Sequence, residues 1–391
     1  MRIGCVTRAQ YPTDQEVRVT KFAATLSSAG HAFFVFCPER EAQDSAEQFE
    51  YGQIIRLGSR RLGAIGKLLL APVPINPLWI LWLRRQFRLN SLDLVIVRDL
   101  RLAIPTFIAA RTCGIKAILD LGEHYPGMVQ VLGKQSLIHV ITRNQWLIKS
   151  LEAISVRMAD LVWVVVEENK ARLLRHNERI EVVNNYPLLY DQGRNSVGQP
   201  AEHLASPSEP VTLTSLGIID NIRGLDLAID ALAILVRGHE AVRLVIYGDG
   251  EFRPKLEKRV GELGLDEYVV FGGWVSEERK YEALATGDIG LLLHRVCDLT
   301  QHTLPNKLFD YMSVGLPVVS TPMKPVIRIL EAEQCGVWAD EDAESIADII
   351  RSLLTDSNER QRLGENGYKA MMYYKWDGEL VAQSVVKLAS H

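Results

Sequence analysis

An arginine, a lysine and an aspartate in the C-terminal half of the chain have the types and surroundings that a diphosphate joined to a ribose would need. Ser215-Leu-Gly-Ile-Ile-Asp-Asn-Ile-Arg-Gly224 reads as a strand end, a turn at Gly217 and a helix opened by Arg223-Gly224. The first turn of a helix presents free N–H groups and the positive end of its dipole to an anion, and Arg223 adds a cation with a fork of donors. Taken alone, that segment reads first as a solvated arginine on an ordinary α/β turn and only second as an anion site. Thr303-Leu-Pro-Asn-Lys-Leu-Phe-Asp-Tyr311 again leads from a loop into a helix. Lys307 and Asp310, three residues apart, face one side of its first turns. The lysine can neutralise phosphate, and the carboxylate can accept from both hydroxyls of a ribose. The alternative is a surface Lys–Asp pair worth roughly 0.5 kcal/mol. The apolar strand Pro317-Val-Val-Ser320 and the stop at Gly315 that follow favour the ligand reading. In the N-terminal half, Asp120-Leu-Gly-Glu-His-Tyr-Pro126 follows a strand. Glu123 and His124 are placed there to orient a substrate, with a loop histidine of no catalytic role as the alternative.

Positioning such residues requires strands that end at one edge of a sheet. The N-terminal half offers strand-length apolar runs at Ile3–Val6, His31–Pro38, Asp93–Val97, Lys116–Leu121 and Leu161–Val166, with helical stretches near 17–30, 102–112 and 135–159. Residues 191–210, DQGRNSVGQPAEHLASPSEP, are polar, rich in Pro, Ser and Gly, and aperiodic, which marks a linker. The alternation then restarts with strands at 211–216, 242–247, 268–271, 288–293 and 317–320. Helices are expected at 225–237, 251–263, 305–315 and 343–354, with a further one capped by Ser276 with Glu277 and Glu278 in its first turn. Apolar strands alternating with helices predict parallel sheets covered on both faces. Two doubly wound Rossmann-like domains follow, with the ligand in a cleft between them at the C-terminal strand ends. The expected division is 1–190, linker 191–210, 211–372, and a final helix in 373–391.

A chain of 391 residues suits two such domains. Five scattered cysteines without a C-x-x-C or His/Cys cluster imply neither a disulfide framework nor a zinc site, and fit a reducing cytoplasm. The N-terminal MRIGCVTRAQ leads directly into a strand, without a signal-peptide apolar region. Residues 1–185 hold 24 Lys and Arg against 17 Asp and Glu, a charge near +7; the remainder holds 20 against 31, near −11. Different partners for the two halves, or a chance asymmetry, account for this equally well. The apolar stretch 67–85 is interrupted by Pro72, Pro74 and Pro77 and is too short to span a bilayer. Its Trp79, Trp82 and Leu83 stand beside Arg84, Arg85 and Arg88, with Arg60, Arg61 and Lys67 nearby, a mixture suited to an anionic membrane surface. A helix packed on the core is the alternative.

Gly217 through Gly336 resembles the donor half of retaining GT-B glycosyltransferases of family four, the group 1 glycosyl transferases. The resemblance runs through IYGDGEFRPKLEKRVGELGL, VVFGGWVSEERKYEALATGDIGLLL and LPNKLFDYMSVGLPVVST, the last of the P-N-K-L-F-E-Y type. TDQEVRVTKFAATLSSAGHAFFVFC, VVEENKARLL and EVVNNYP resemble the family's N-terminal half more loosely, and the helix after Tyr374-Lys-Trp-Asp its final helix, which in that fold crosses back to the first domain.

The resemblance implies an arginine and a lysine at the start of the donor domain. Here Ile218 stands at the first position and Arg223 at the second, so Lys307 is expected to supply the missing charge. Of the family's two glutamates, the ribose-binding one corresponds to Asp310 and the sugar-binding one to His302. Val275 falls where backbone groups meet the base, and Gly217, Gly248, Thr303, Leu304, Asn306 and Leu308 complete the expected donor site. Gly122 replaces the histidine of the family's D-x-H-E, with Glu123 and His124 next. Arg8, Asp14 and Arg18 are expected to line the first loop on the acceptor side.

The activity so implied is transfer of a sugar, with retention, from a nucleoside-diphosphate sugar (UDP ahead of GDP) to a glycan or lipid-linked acceptor. Synthesis of a bacterial surface polysaccharide or glycolipid is the implied setting. Arg223 and Lys307 would stabilise the departing diphosphate, with no metal or other cofactor and no nucleic-acid partner. The expected location is cytoplasmic, peripheral to the inner membrane face. A GT-B epimerase or hydrolase, and a degenerate scaffold suggested by Ile218 and His302, stand as the alternatives.

Overall fold

Fourteen short strands alternate with helices in the computed structural model, which describes residues 1–12, 16–39, 45–58, 75–131, 144–187 and 209–390. Their contacts divide the chain into two units, Met1–Asn185 with Asp377–His391, and Tyr186–Trp376.

In the first unit the strands are β1 (Arg2–Val6), β2 (Ala32–Pro38), β3 (Ala46–Phe49), β4 (Gly52–Leu57), β5 (Leu94–Val97), β6 (Lys116–Leu121), β7 (Leu161–Val164) and β8 (Ile180–Val182). They form one sheet in the order β3-β4-β2-β1-β5-β6-β7-β8. Every pair is parallel except the hairpin β3–β4, which closes one edge. Periodicity alone did not mark β3, β4 or β8, which are short and partly polar. Helices α1 (Val17–Ser28), α2 (Pro77–Leu89), α3 (Leu100–Cys113), α4 (Tyr125–Val131), α5 (Gln145–Met158) and α6 (Glu167–Leu173) cover the sheet. Fully buried strand residues such as Val35, Ile96, Ile118 and Val162 account for the near-continuous apolar runs.

Helix α2 begins where Asn76 Oδ1 accepts from the Leu78 N–H (3.0 Å) and Pro77 takes the first helical position. Trp79, Leu83 and Phe87 recur at i, i+4 and i+8 and are buried. Trp79 is wholly inaccessible, and Trp82 packs edge-on to Trp79 and Phe36 at ring separations of 5.6 and 6.0 Å. The two tryptophans therefore belong to the core rather than to a membrane-facing surface. Arg60, Arg61 and Lys67 lie outside the described residues, as do 191–208 of the expected linker.

The second unit has β9 (Val211–Leu216), β10 (Val242–Tyr247), β11 (Val269–Gly273), β12 (Ile289–Leu292), β13 (Val318–Ser320) and β14 (Gly336–Trp338), in the all-parallel order β11-β10-β9-β12-β13-β14. The order reverses at β9, so β9 and β12 flank the point where neighbouring crossovers run to opposite sides. Its helices are α7 (Leu225–Arg237), α8 (Arg253–Leu263), α9 (Lys280–Leu284), α10 (Lys307–Ser313), α11 (Lys324–Glu333), α12 (Ala343–Thr355) and α13 (Ser357–Ala370). The helix expected from Ser276 instead starts at Lys280, with no side-chain cap. Ser276 opens a turn closed by the Arg279 N–H (3.1 Å), and Lys280 is drawn toward Glu277 and Asp310. The last helix, α14 (Gly378–Ala389), belongs to the first unit and packs on α1. Just before it, the rings of Tyr186, Phe309 and Tyr374 pack edge-on or tilted within the second unit at 5.1–5.5 Å, and the Trp376 N–H donates to Pro187 O (2.8 Å).

Candidate active site

The strand β9 ends at Leu216, and Gly217 turns the chain with φ +119°, a conformation that disfavours side chains. At two nearby glycines close approach excludes a side chain as well. A Cβ on Gly248 would lie 1.9 Å from Gly217 O, and one on Gly224 would lie 1.8 Å from Leu293 O. The ends of β9, β10 and β12 are thus pressed together backbone to backbone. The Ile219 N–H donates to Asp249 O (2.9 Å) and the Arg295 N–H to Ile222 O (2.8 Å), which fixes a single 3₁₀ turn at Asn221–Arg223.

On the other side, Tyr311 ties α10 to the same strand ends. Its hydroxyl donates to Leu291 O and accepts from the Leu216 N–H, both at 3.1 Å. Its ring occupies the space that a side chain on Gly290 would fill, 2.7 Å from that Cβ position. With α10 so held, Lys307 Nζ comes within 3.5 Å of the Cβ position of Gly217. The sequence-predicted Gly217, Gly248, Arg223 and Lys307 therefore converge.

Three basic groups share this spot. Arg223 Nη1 is 2.6 Å from His294 Nε2. Burial, followed by the charge of Arg223, lowers the Lys307 pKa to about 7. Burial, followed by Lys307 and Arg223, holds the His294 pKa well below the usual histidine range. The carboxylate closest to Arg223 is Asp220, 3.7 Å from Nε. Among the described residues Lys307 makes no ion pair. Two basic side chains with Asp220 as the nearest carboxylate make a place that can accept an anion.

Asp310 does not pair with Lys307. Its carboxylate meets Lys280 Nζ at 3.0 Å, and Lys280 also reaches Glu277 at 2.7 Å. Burial works against the Lys280 ammonium, but Asp310 and Glu277 outweigh it and raise its pKa. The Asp310 side chain remains 15% exposed. His302 sits in a 3₁₀ turn with Nδ1 2.8 Å from Asp298 O and 3.4 Å from its carboxylate. The Thr303 hydroxyl is buried without a hydrogen-bond partner. Leu304 is half-buried, while Leu308 is fully buried in the core, so any ligand contact at 308 comes from the backbone. Asn306 occupies the cap position of α10 but makes no capping bond and is exposed. Val275 is partly buried beyond Gly273 (φ +71°), beside an exposed Trp274.

The first unit gathers charge at the ends of β1, β5 and β6. Arg18, expected in the first loop, lies within α1 and is 3% exposed. Its guanidinium grips Asp120 through Nε (2.9 Å) and Nη2 (2.7 Å) and donates to Val183 O (3.0 Å). Arg98 joins Glu16 at 2.7 Å and approaches Asp120 at 3.6 Å. A Cβ on Gly122 would be 2.6 Å from Arg98 Nη1, so the arginine fills the space left at that glycine. Arg8 is half-exposed and bonds Asp99 at 2.8 Å. Glu123 is exposed and His124 buried. Asp14 lies outside the described residues.

Sequence reading missed Lys280, Arg98 and His294. Arg98 meets Glu16 and Asp120, and Lys280 meets Asp310, pairings distant in sequence that no local pattern encodes. His294 did carry a signal, as a polar residue directly after the apolar run of β12, at the strand end where α/β ligands bind.

The family model described as "Glycosyltransferase Family 4" matches residues 15–186, and that described as "Glycosyl transferases group 1" matches 200–370. The chain is 27% identical over 220 residues to the lipopolysaccharide core biosynthesis glycosyltransferase LpsE of Rhizobium meliloti, 56% of each chain. It is 28% identical over 166 residues to the alpha-D-kanosaminyltransferase of Streptomyces kanamyceticus, 42% of each. The chain thus spans about half the length, or less, of the curated relatives it matches. Among solved structures, the sucrose-phosphate synthase of Thermosynechococcus elongatus superposes with a TM-score of 0.72 at 17% identity, covering 99% of this chain and 98% of that one. Anabaena HepE in complex with UDP superposes with a TM-score of 0.69 at 15% identity, covering 100% of both.

Proposed function

The chain belongs to the group 1, family 4 glycosyltransferases and has their GT-B fold, and from that premise we propose that it transfers a sugar from a nucleoside-diphosphate sugar to a surface-glycan acceptor. The observation that carries the reading is the convergence of Arg223 and Lys307 at the turn after β9 with little counter-charge. A diphosphate supplies the missing anion. As the bond from the anomeric carbon to the phosphate oxygen breaks, negative charge grows on the departing diphosphate. Arg223 and Lys307 stabilise it more in the transition state than before it. The acceptor oxygen bonds to the anomeric carbon, and its proton passes to the departing phosphate oxygen on the same face, which retains configuration. No carboxylate pair and no metal is needed for these steps.

Asp310 takes the ribose hydroxyls, with Lys280 holding its carboxylate in place. Val275 and the backbone after β11 meet the base. His302, Thr303 and Asn306 face the transferred sugar. Glu123, His124 and Arg8 of the first unit belong to the acceptor side, where Arg98 adds positive charge and Arg18 braces Asp120 from below. UDP is the first base to test, since HepE was solved with UDP and with UDP-glucose. GDP is the second, since a Mycobacterium tuberculosis relative is described as GDP-mannose-dependent. Lipopolysaccharide core and, putatively, colanic acid are what other relatives help to build, which supports a glycan or lipid-linked acceptor.

No described helix is long and apolar enough to cross a membrane. Association with an anionic membrane face instead rests on exposed Leu78, Leu81, Arg85 and Arg88 of α2, with Trp146 and Lys149 of α5. The deciding experiment is a thermal-shift screen of UDP-, GDP- and ADP-sugars, followed by transfer assays with the stabilising donor. Stabilisation by none of them would end the donor-site assignment, and product formed from donor alone would favour an epimerase or hydrolase.

A further inference from the structure

His294 lies two residues beyond β12 and is 4% exposed. Its backbone is locked in place: Thr321 Oγ1 donates to His294 O at 2.5 Å, and the neighbouring Leu293 O rests against Gly224. Guanidinium has no acceptor, so Arg223 Nη1 donates and His294 Nε2 accepts across their 2.6 Å contact. An imidazole accepts only when neutral, which puts its one proton on Nδ1. That Nδ1 is buried and has no hydrogen-bond partner. Arg223 Nε likewise has none.

Three other buried or half-buried arginines are held by carboxylates. Arg18 is fixed by Asp120, Arg98 by Glu16, and Arg295 by Asp226. Each pairing fixes the guanidinium and cancels its charge. Arg223 differs: its hydrogen bond goes to a neutral ring, and its nearest carboxylate, Asp220, stays 3.7 Å from Nε.

We propose that His294 is a positioning residue for Arg223, a neutral acceptor that aims the guanidinium at the donor diphosphate without neutralising it. This rests on the nucleotide-sugar reading.

The test is calorimetric titration of the full chain with UDP, GDP and ADP, using the tightest binder thereafter. His294→Gln, which keeps a neutral acceptor, should bind within about threefold of wild type, while His294→Ala should lose about tenfold. His294→Glu should lose more than His294→Gln, because its carboxylate cancels the charge that glutamine leaves. In an Arg223→Ala background, His294→Ala should cost nothing further, as expected for groups acting as one unit. Thermal melts confirm that each variant is folded. Should His294→Glu fall short on that count, the glutamine and alanine variants and the double mutant still decide the matter.

Equal losses for glutamine and alanine, or the same loss with and without Arg223, would overturn the proposal. If Arg223→Ala weakens binding and no His294 variant does, this inference fails while the nucleotide site stands. If the wild-type chain binds none of the three diphosphates, both fall.

Discussion

At the scale of single residues, charge and its cancellation decide what the donor site can do. Asp310 is committed to Lys280 rather than to Lys307, which leaves Lys307 beside Arg223. Asp310→Ala should weaken nucleotide binding by about tenfold in calorimetry. Lys307→Ala should lower kcat by about a hundredfold, more than it weakens binding, because its charge matters most as the diphosphate departs. Wild-type behaviour of Asp310→Ala would remove it from the site. Lys307 also makes binding pH-dependent. With its pKa near 7, half of the ammonium is lost around neutrality, and an arriving diphosphate restores it by drawing in a proton. Affinity for a UDP-sugar, whose diphosphate does not titrate there, should therefore fall as pH rises from 6.5 to 8.5, and Lys307→Arg should flatten that profile. The sign for stability is the opposite. The unfolded lysine titrates at about 10.5, so above pH 7 the unfolded chain holds more protons than the folded one. The burial cost is full below about pH 7 and fades toward pH 10.5. Thermal melts of Lys307→Met should accordingly show a gain over wild type at pH 7 that shrinks at pH 9.

Elements hold these residues through backbone contacts. Gly217, Gly224 and Gly248 let the ends of β9, β10 and β12 touch, and Tyr311 fastens α10 to two of them. The glycine turn and the Lys-x-x-Asp helix were legible because each is a local pattern of few residues. The pairing of Asp310 with Lys280 was not, since it joins α10 to the start of α9, 30 positions earlier. Helix α2 shows the same limit. Its composition of Trp, Leu and Arg suits a membrane surface and a core equally well, and only the rotation of the helix separates the two. That rotation buries Trp79 and leaves Leu81 and Arg85 outside. Trp79→Ala should therefore cost about 3–5 kcal/mol in denaturant unfolding. The pair Leu81→Glu and Arg85→Glu should change stability by less than about 1 kcal/mol yet abolish flotation with anionic vesicles at low salt. Unchanged flotation in that double variant would exclude α2 as the contact.

For the whole molecule, the distribution of chain between the two units matters most. Helix α14 belongs to the first unit although the second unit intervenes in sequence. Its Ser384 hydroxyl accepts from the buried Trp163 Nε1–H at 3.0 Å and bonds the Glu181 carboxylate, and Gly378 lies close against Thr25. Ser384→Val should leave the indole donor without a partner and cost about 1–3 kcal/mol, read as a lower melting temperature for the transition that quenches Trp163 fluorescence. An unshifted transition would show that α14 contributes little there. The sequence by itself determined the class of the fold, most of the long strands, and the local patterns around Gly217, Arg223 and Lys307. Those follow from period, length and turn chemistry, which act over a few residues. Tertiary structure alone decided which partner each charge takes. It set Lys280 on Asp310, Asp120 on Arg18, Arg98 over Gly122, and a neutral His294 on Arg223. Such choices depend on distances between strand ends and helix starts far apart in the chain, and only packing sets those distances.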